Sequence, residues 1–229
     1  MRRPVRLELN CLDSRLVPTT LSTGAVVAVN HSVIDIVPAI HGETAVSVSQ
    51  DATTSTSIDV AISSTDSNGN PLNKSLVIAK GGGLELEVDG RRMAADSELD
   101  LNVSTNNPTL VLGGAGVANI SLGNGVAEVV AGSGSTNVSA GNGTEYIYGS
   151  KNSASLLNFS GGAGFNFIDV DGGTNNLTLG SGFSVVLVDG GTTTISSAAG
   201  GSAIIIVDID DPNVTINTAG ADDWVFYVN

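Results

Sequence analysis

The sequence predicts an all-β protein whose C-terminal half is a stacked solenoid. Three observations carry this. The 229 residues are 41% hydrophobic, with 29 glycines against five Phe, three Tyr and one Trp. From residue 110 onward an aliphatic side chain recurs every nine residues. Glycine keeps the same beat, four residues ahead of each aliphatic. A period of nine is too short for a strand–helix unit, and glycine at a fixed phase marks tight corners. One such segment cannot bury its aliphatic side alone, so the segments must stack.

Composition also removes several functions. Acids outnumber bases 23 to 9, for a formal net charge of −14. A chain this rich in β-branched residues buries a core, so it is not a disordered acidic tail. Beyond Arg15 the only bases are Lys74, Lys80, Arg91, Arg92 and Lys151. That leaves no basic cluster to neutralise phosphates, and no nucleic-acid partner is expected. No apolar run approaches the ~18 residues that cross a bilayer, so no membrane span is expected.

Residues 1–19 form a basic segment with four of the nine bases, Arg2, Arg3, Arg6 and Arg15. Without them the remainder carries 5 bases and 21 acids, a net charge of −16. The segment lacks the apolar stretch of an ordinary secretory signal. Leu7, Leu9, Leu12 and Leu16 suit a short amphipathic helix that stops before Pro18. The run Arg6-Leu7-Glu8-Leu9-Asn10-Cys11-Leu12-Asp13-Ser14-Arg15-Leu16-Val17-Pro18-Thr19 resembles the N-terminal leader of many planctomycete surface and exported proteins. That leader reads roughly R-L-x-L-E-x-L-E-x-R-x-x-P-[ST]; Asn10 and Asp13 stand where it has Glu. The resemblance implies an extracellular or cell-surface location, not an activity. Cys11 is the single cysteine, so no intrachain disulfide forms. An exported chain without one draws stability from repeats or bound ions.

Residues 20–109 read as less regular strands: Ala25–Val29, Thr44–Val48, Ile58–Ile62, Leu76–Ala79, Leu84–Val88 and Leu99–Val103. Asn68-Gly69-Asn70-Pro71, Gly81-Gly82-Gly83 and Asn106-Asn107-Pro108 break them apart. Two architectures fit: wider coils of the same solenoid, or a small β-sandwich-like cap.

Residues 110–229 hold the repeat. Val111, Ile120, Val129, Val138, Ile147 and Leu156 are each nine apart. The phase slips by three around Asn158-Phe159-Ser160, and Ile168, Leu177, Val186, Ile195 and Ile204 resume it. One extra residue leads to Val214. The glycine beat runs through Gly116, Gly125, Gly134, Gly143, Gly164, Gly173, Gly182, Gly191 and Gly200, with Asn152 once in its place. Asn is the next best residue for a positive φ. Gly113-Gly114-Ala115-Gly116-Val117-Ala118-Asn119-Ile120-Ser121 and Gly161-Gly162-Ala163-Gly164-Phe165-Asn166-Phe167-Ile168-Asp169 resemble the haemolysin-type (repeats-in-toxin) nonapeptide, G-G-x-G-x-D-x-U-x. The resemblance covers about half of the chain and implies a parallel β-roll. Each nonapeptide would be one turn and one strand, and two would make an 18-residue coil. The family's sixth position is a calcium-binding Asp. Here it reads Ala118, Ala127, Thr136, Glu145, Ala154, Asn166, Asn175, Ser184, Thr193 and Ser202, so the family's ladder of calcium sites is mostly absent.

Strand alternation then sorts the outward residues into two faces. One is a polar ladder: Asn119/Ser121, Asn137/Ser139, Ser155/Leu157, Asn176/Thr178 and Thr194/Ser196. The other is largely apolar: Glu128/Val130, Tyr146/Tyr148, Phe167/Asp169, Val185/Leu187 and Ala203/Ile205. An interaction face is expected there, through Val130, Tyr146, Tyr148, Phe167, Val185, Leu187 and Ile205. A solvated sheet does not normally keep such a stripe, so a protein partner or a second copy is expected to cover it. Asp171, Asp189 and Asp208 share one position of successive coils, with Asp169, Asp210 and Asp211 nearby in sequence. Two readings fit this column. Calcium would offset carboxylates stacked about 4.8 Å apart; alternatively, Asp simply suits Asp-Gly turns.

No Gly-x-Ser-x-Gly elbow, phosphate loop or His-Glu-x-x-His is present. His31 and His41 have no cysteine or clear carboxylate partner at metal-ligand spacing and read as surface residues. The expectation is a non-catalytic structural or adhesive module, with calcium as its metal only on the first reading of the Asp column. The alternative is an extracellular β-helix that binds or acts on a glycan through the polar ladder.

Overall fold

The computed structural model describes residues 7–8, 19–20, 25–30, 32–50, 57–65, 71–79, 84–208, 210, 213–218 and 222–228. The N-terminal strands are β1 (Leu7–Glu8), β2 (Thr19–Thr20), β3 (Val26–Asn30), β4 (Val33–Val37), β5 (Gly42–Gln50), β6 (Ser57–Thr65), β7 (Pro71–Ala79), β8 (Glu85–Asp89) and β9 (Ser97–Val103). The repeat supplies β10 (Thr109–Leu112), β11 (Val117–Ser121), β12 (Val126–Val130), β13 (Ser135–Ser139), β14 (Thr144–Tyr148), β15 (Leu156–Ser160) and β16 (Phe165–Val170). It continues through β17 (Thr174–Leu179), β18 (Phe183–Val188), β19 (Thr192–Ser197), β20 (Ser202–Asp208), β21 (Val214–Asn217) and β22 (Trp224–Val228).

From β8 onward successive strands alternate between two sheets, and each strand lies parallel to the one a coil away. This is the parallel β-solenoid that the period of nine predicts. In the first sheet Leu101, Ile120, Val138, Phe159, Leu177, Ile195 and Ile216 stack in register. In the second, Val111, Val129, Ile147, Ile168, Val186, Ile205 and Val225 do so. Most of these side chains are fully buried and merge into one core. The coils average about 19 residues rather than 18, because some corners are longer than the nonapeptide allows.

Those corners overturn several expected positions. The three-residue slip falls before β15, between Tyr148 and Leu156, and not at Asn158-Phe159-Ser160. Leu157 and Phe159 are therefore inside, each 2% exposed, while Leu156 is half-buried on the outside. Asn152 is off the glycine beat; its Oδ1 and carbonyl shape the longer turn by accepting from the Ala154 amide and Ser155 Oγ. Ile205 and Ala203 are buried, not outward; Ile204 and Ile206 take the outer face, because the corner after β19 is one residue longer. Ile216, not Val214, lies opposite Ile195. A one-residue displacement exchanges the two faces of a strand, so each misplaced corner inverts every side chain up to the next one.

The glycine beat also has a different cause from the one read in the sequence. Of its members only Gly173, Gly191 and Gly200 have positive φ, at 68°, 88° and 88°. At Gly143 a Cβ would run into the carbonyl oxygen of Gly125, and at Gly182 into that of Gly164. Close stacking of corner backbones is what demands glycine there.

The N-terminal region continues the same two sheets with parallel and then antiparallel strands. Strands β4 and β5 extend the parallel stack, pairing with β8 and β9. Antiparallel strands then continue each sheet outward: β3 against β4, and β6 and β7 beyond β5. Strand β4 is absent from the sequence-derived set because His31-Ser32, which joins it to β3, contains no glycine or proline. In the expected leader helix, Leu7–Glu8 instead pairs with β7; most of the leader, with Cys11, lies outside the described residues. So do His31 and Asp211.

Candidate interaction faces and acidic corner

The outer surface of the first sheet carries an asparagine ladder. The corrected register replaces Ser155/Leu157 with Asn158/Ser160, which makes the ladder continuous. Asn176 Nδ2 donates to Asn158 Oδ1 at 2.8 Å, Asn158 to Asn137 at 2.7 Å, and Asn137 to Asn119 at 2.8 Å. Asn119 Nδ2 donates to Glu98 Oε1 and Asp100 Oδ1, both at 2.8 Å. The amide dipoles therefore align rung after rung and end on two carboxylates, an arrangement in which each bond polarises the next.

The outer surface of the second sheet is the apolar face. Its registers place Leu110, Glu128, Tyr146, Phe167, Val185, Ile204 and Trp224 in one column. Leu112, Val130, Tyr148, Asp169, Leu187, Ile206 and Phe226 form the next. The six expected residues Val130, Tyr146, Tyr148, Phe167, Val185 and Leu187 thus share one surface, and Ile205 does not. Phe167 sits between Tyr146 and Tyr148, with ring centroids 6.2 and 6.3 Å away. Beside them Phe165 stacks on Phe183 at 6.0 Å. Seven rungs about 4.8 Å apart make this face about 29 Å long. Its last rung is the most open: Trp224 and Phe226 are 65% and 47% exposed. The apolar face read from the sequence stops at Ala203/Ile205, short of Trp224 and Phe226. Their alternation is the signal that would have added them to this face.

The acidic corner follows β16 and β18. Val170 lies opposite Val188, so Asp171 and Asp189 stand level in successive coils, and Asp208 follows one rung on. Carboxylate oxygens of Asp169, Asp171 and Asp189 all lie within 4.8 Å of one another. Burial pushes the Asp169 carboxyl above its ordinary range, and Asp171 and Asp189 push it further. Its Oδ1 is shielded from solvent without a hydrogen-bond partner. Lys151 Nζ approaches Asp171 Oδ2 at 3.2 Å and supplies one positive charge. Asp208 and Asp210 stand outside this group; Asp208 Oδ1 accepts from the Asp210 amide at 3.0 Å.

Two features were not read from the sequence. His41 Nδ1 lies 2.8 Å from Asp96 Oδ1, an exposed pair bridging 55 residues. Glu145, noted only for not being Asp, is 0% exposed inside the core. No family model, curated protein or solved structure matches the chain.

Proposed function

We propose that the chain is a non-catalytic structural and adhesive module of an exported or cell-surface protein. It works by holding a flat apolar face against a protein partner or a second copy. The observation that carries this reading is the continuous outer surface of the second sheet, where Tyr146, Tyr148, Phe167, Val185, Leu187, Ile204 and Ile206 stay partly or fully exposed. Burying such side chains is worth roughly 1.5–3 kcal/mol each, and contiguous apolar patches of this kind mark contact surfaces. The leader-like run at 6–19 supports export. Glu145, whose carboxyl burial pushes up to about 7, is sealed from any substrate. The test is sedimentation velocity over a range of concentrations for the wild type and Tyr148→Asp. Assembly that Tyr148→Asp abolishes supports the reading. Monomers of equal stability in both would sink it.

Calcium at the acidic corner is a second, separate proposal. Asp169, Asp171 and Asp189 would supply the carboxylates, and corner carbonyls the remaining oxygens of a six- to eight-fold shell. The unpartnered Asp169 Oδ1 supports it. Lys151 competes with it by already neutralising Asp171. Melting temperature should rise with added calcium and stay level in Asp169→Asn; an unchanged wild-type melt removes the ion. The glycan alternative has less support, because the ladder amides are engaged with one another.

A further inference from the structure

The interior of the solenoid is not uniformly apolar. In the second sheet one inward column reads Ala127, Glu145, Asn166, Ser184 and Ala203. Glu145 and Asn166 are 0% exposed and Ser184 is 1% exposed. Asn166 Nδ2 donates to Ser184 Oγ at 3.3 Å. Both Glu145 carboxylate oxygens and Asn166 Oδ1 are left buried without a partner. Unpartnered acceptors thus occupy neighbouring places of one inward column, a rung of about 4.8 Å apart. An ionised, unpaired carboxylate is not tolerated in such a place; the group takes up a proton instead. One proton also resolves the count, since a carboxylic acid has an O–H to give.

We propose that Glu145 is carried in the core as a neutral carboxylic acid that donates its proton to Asn166 Oδ1, and that this bond is a pH-sensitive joint in the middle of the solenoid. Among the described residues no charged group faces it from the strands packed around it. The inward neighbours are Ala127 and Val129 on β12, Asn166 and Ile168 on β16, Thr136 and Val138 on β13, and Leu157 and Phe159 on β15. Glu128, Tyr146, Tyr148 and Asp169 leave the same sheet from its opposite surface. Burial lifts the carboxyl from 4.5 to about 7, partly opposed by the nearby amides of Gly143, Gly141 and Glu145 itself. Those amides do not complete a hydrogen bond to either oxygen. Because the folded value lies above the unfolded one, the stabilisation is complete below pH 4.5. It drains away as pH rises and is gone above about 7. Across that window the folding constant falls roughly 300-fold from this group alone. Strand β14 carries Tyr146 and Tyr148 on its other side, so the joint lies directly behind the aromatic face.

The test compares thermal melts of the wild type and Glu145→Gln from about pH 5 to about pH 8, in chelator and again with calcium. The Gln amide donates to Asn166 Oδ1 at every pH. The wild type should lose stability across the window, Glu145→Gln should lose much less, and the variant should be the more stable protein at the alkaline end. Equal slopes in both proteins overturn the proposal. So does calcium that abolishes the wild-type slope in chelator-free buffer, because a metal ion would then occupy the proton's place. Should Glu145→Gln fail to fold, carboxyl carbon NMR of the wild type decides: a Glu145 signal titrating near 7 supports the joint, and one in the ordinary carboxylate range overturns it.

Discussion

Leu156 and Leu157 offer a paired test of the register. They are adjacent and chemically identical, and truncating either to Ala changes the unfolded chain almost equally, so the difference reads the folded state. The period of nine puts Leu156 inside; the structure puts Leu157 there at 2% exposure, between Thr136 and Asn175. The coils above and below are fixed by ladder hydrogen bonds, so the site cannot collapse around a lost side chain. Leu157→Ala should therefore cost about 3–4 kcal/mol, within the usual range for a rigid core. Leu156→Ala removes a half-exposed side chain and should cost under about 1 kcal/mol. At about 2–4 °C per kcal/mol for a domain of this size, the melts should differ by roughly 5–12 °C. Stacked repeats can unfold in pieces, so far-ultraviolet circular dichroism of the whole sheet should be read together with Trp224 fluorescence from the last rung. The opposite order, or equal losses, would refute the register and with it both outer faces.

Two further outcomes follow from the same stack. Gly143→Ala should destabilise by overpacking, about 1–3 kcal/mol, because its Cβ would meet the Gly125 carbonyl. Gly200→Ala meets nothing within 4 Å but keeps φ at 88°, so it should cost about 1–2 kcal/mol; a Gly143→Ala melt above that of Gly200→Ala would discount the stacking argument. Asn137→Ala removes two ladder bonds and strands Asn158 Nδ2 and Asn119 Oδ1. Urea unfolding should show a loss of about 1–2 kcal/mol, and no loss would mean the ladder adds nothing to stability.

Local chemistry made much of this protein legible. A nine-residue beat of glycine and aliphatics forces short segments to stack, because none can bury its apolar side alone. That reasoning located the inward columns from Val111 to Ile147 and from Ile168 to Ile195. It also located most of the apolar face and the level pairing of Asp171 with Asp189. It faltered at the irregular corners before β15, β20 and β21. Leu156-Leu157 and Ile204-Ile205-Ile206 are runs of equivalent aliphatics, so hydropathy does not say which member turns inward.

The N-terminal strands kept two architectures open because hairpin and coil both need only alternating residues and a turn. Pairing direction separates the parallel β4 and β5 from the antiparallel strands beyond them, and it depends on contacts far apart in sequence, such as Val48 beside Val103.

Sequence alone determined that this chain is a stacked, glycine-cornered all-β protein, because the repeat period is a local property. Only the tertiary structure decided which side chains share a surface. It closed the gap in the asparagine ladder, moved Ile205 into the core and left Glu145 facing Asn166 without a donor. Each of these depends on corner length summed over a coil, where one extra residue reverses the faces up to the next irregular corner.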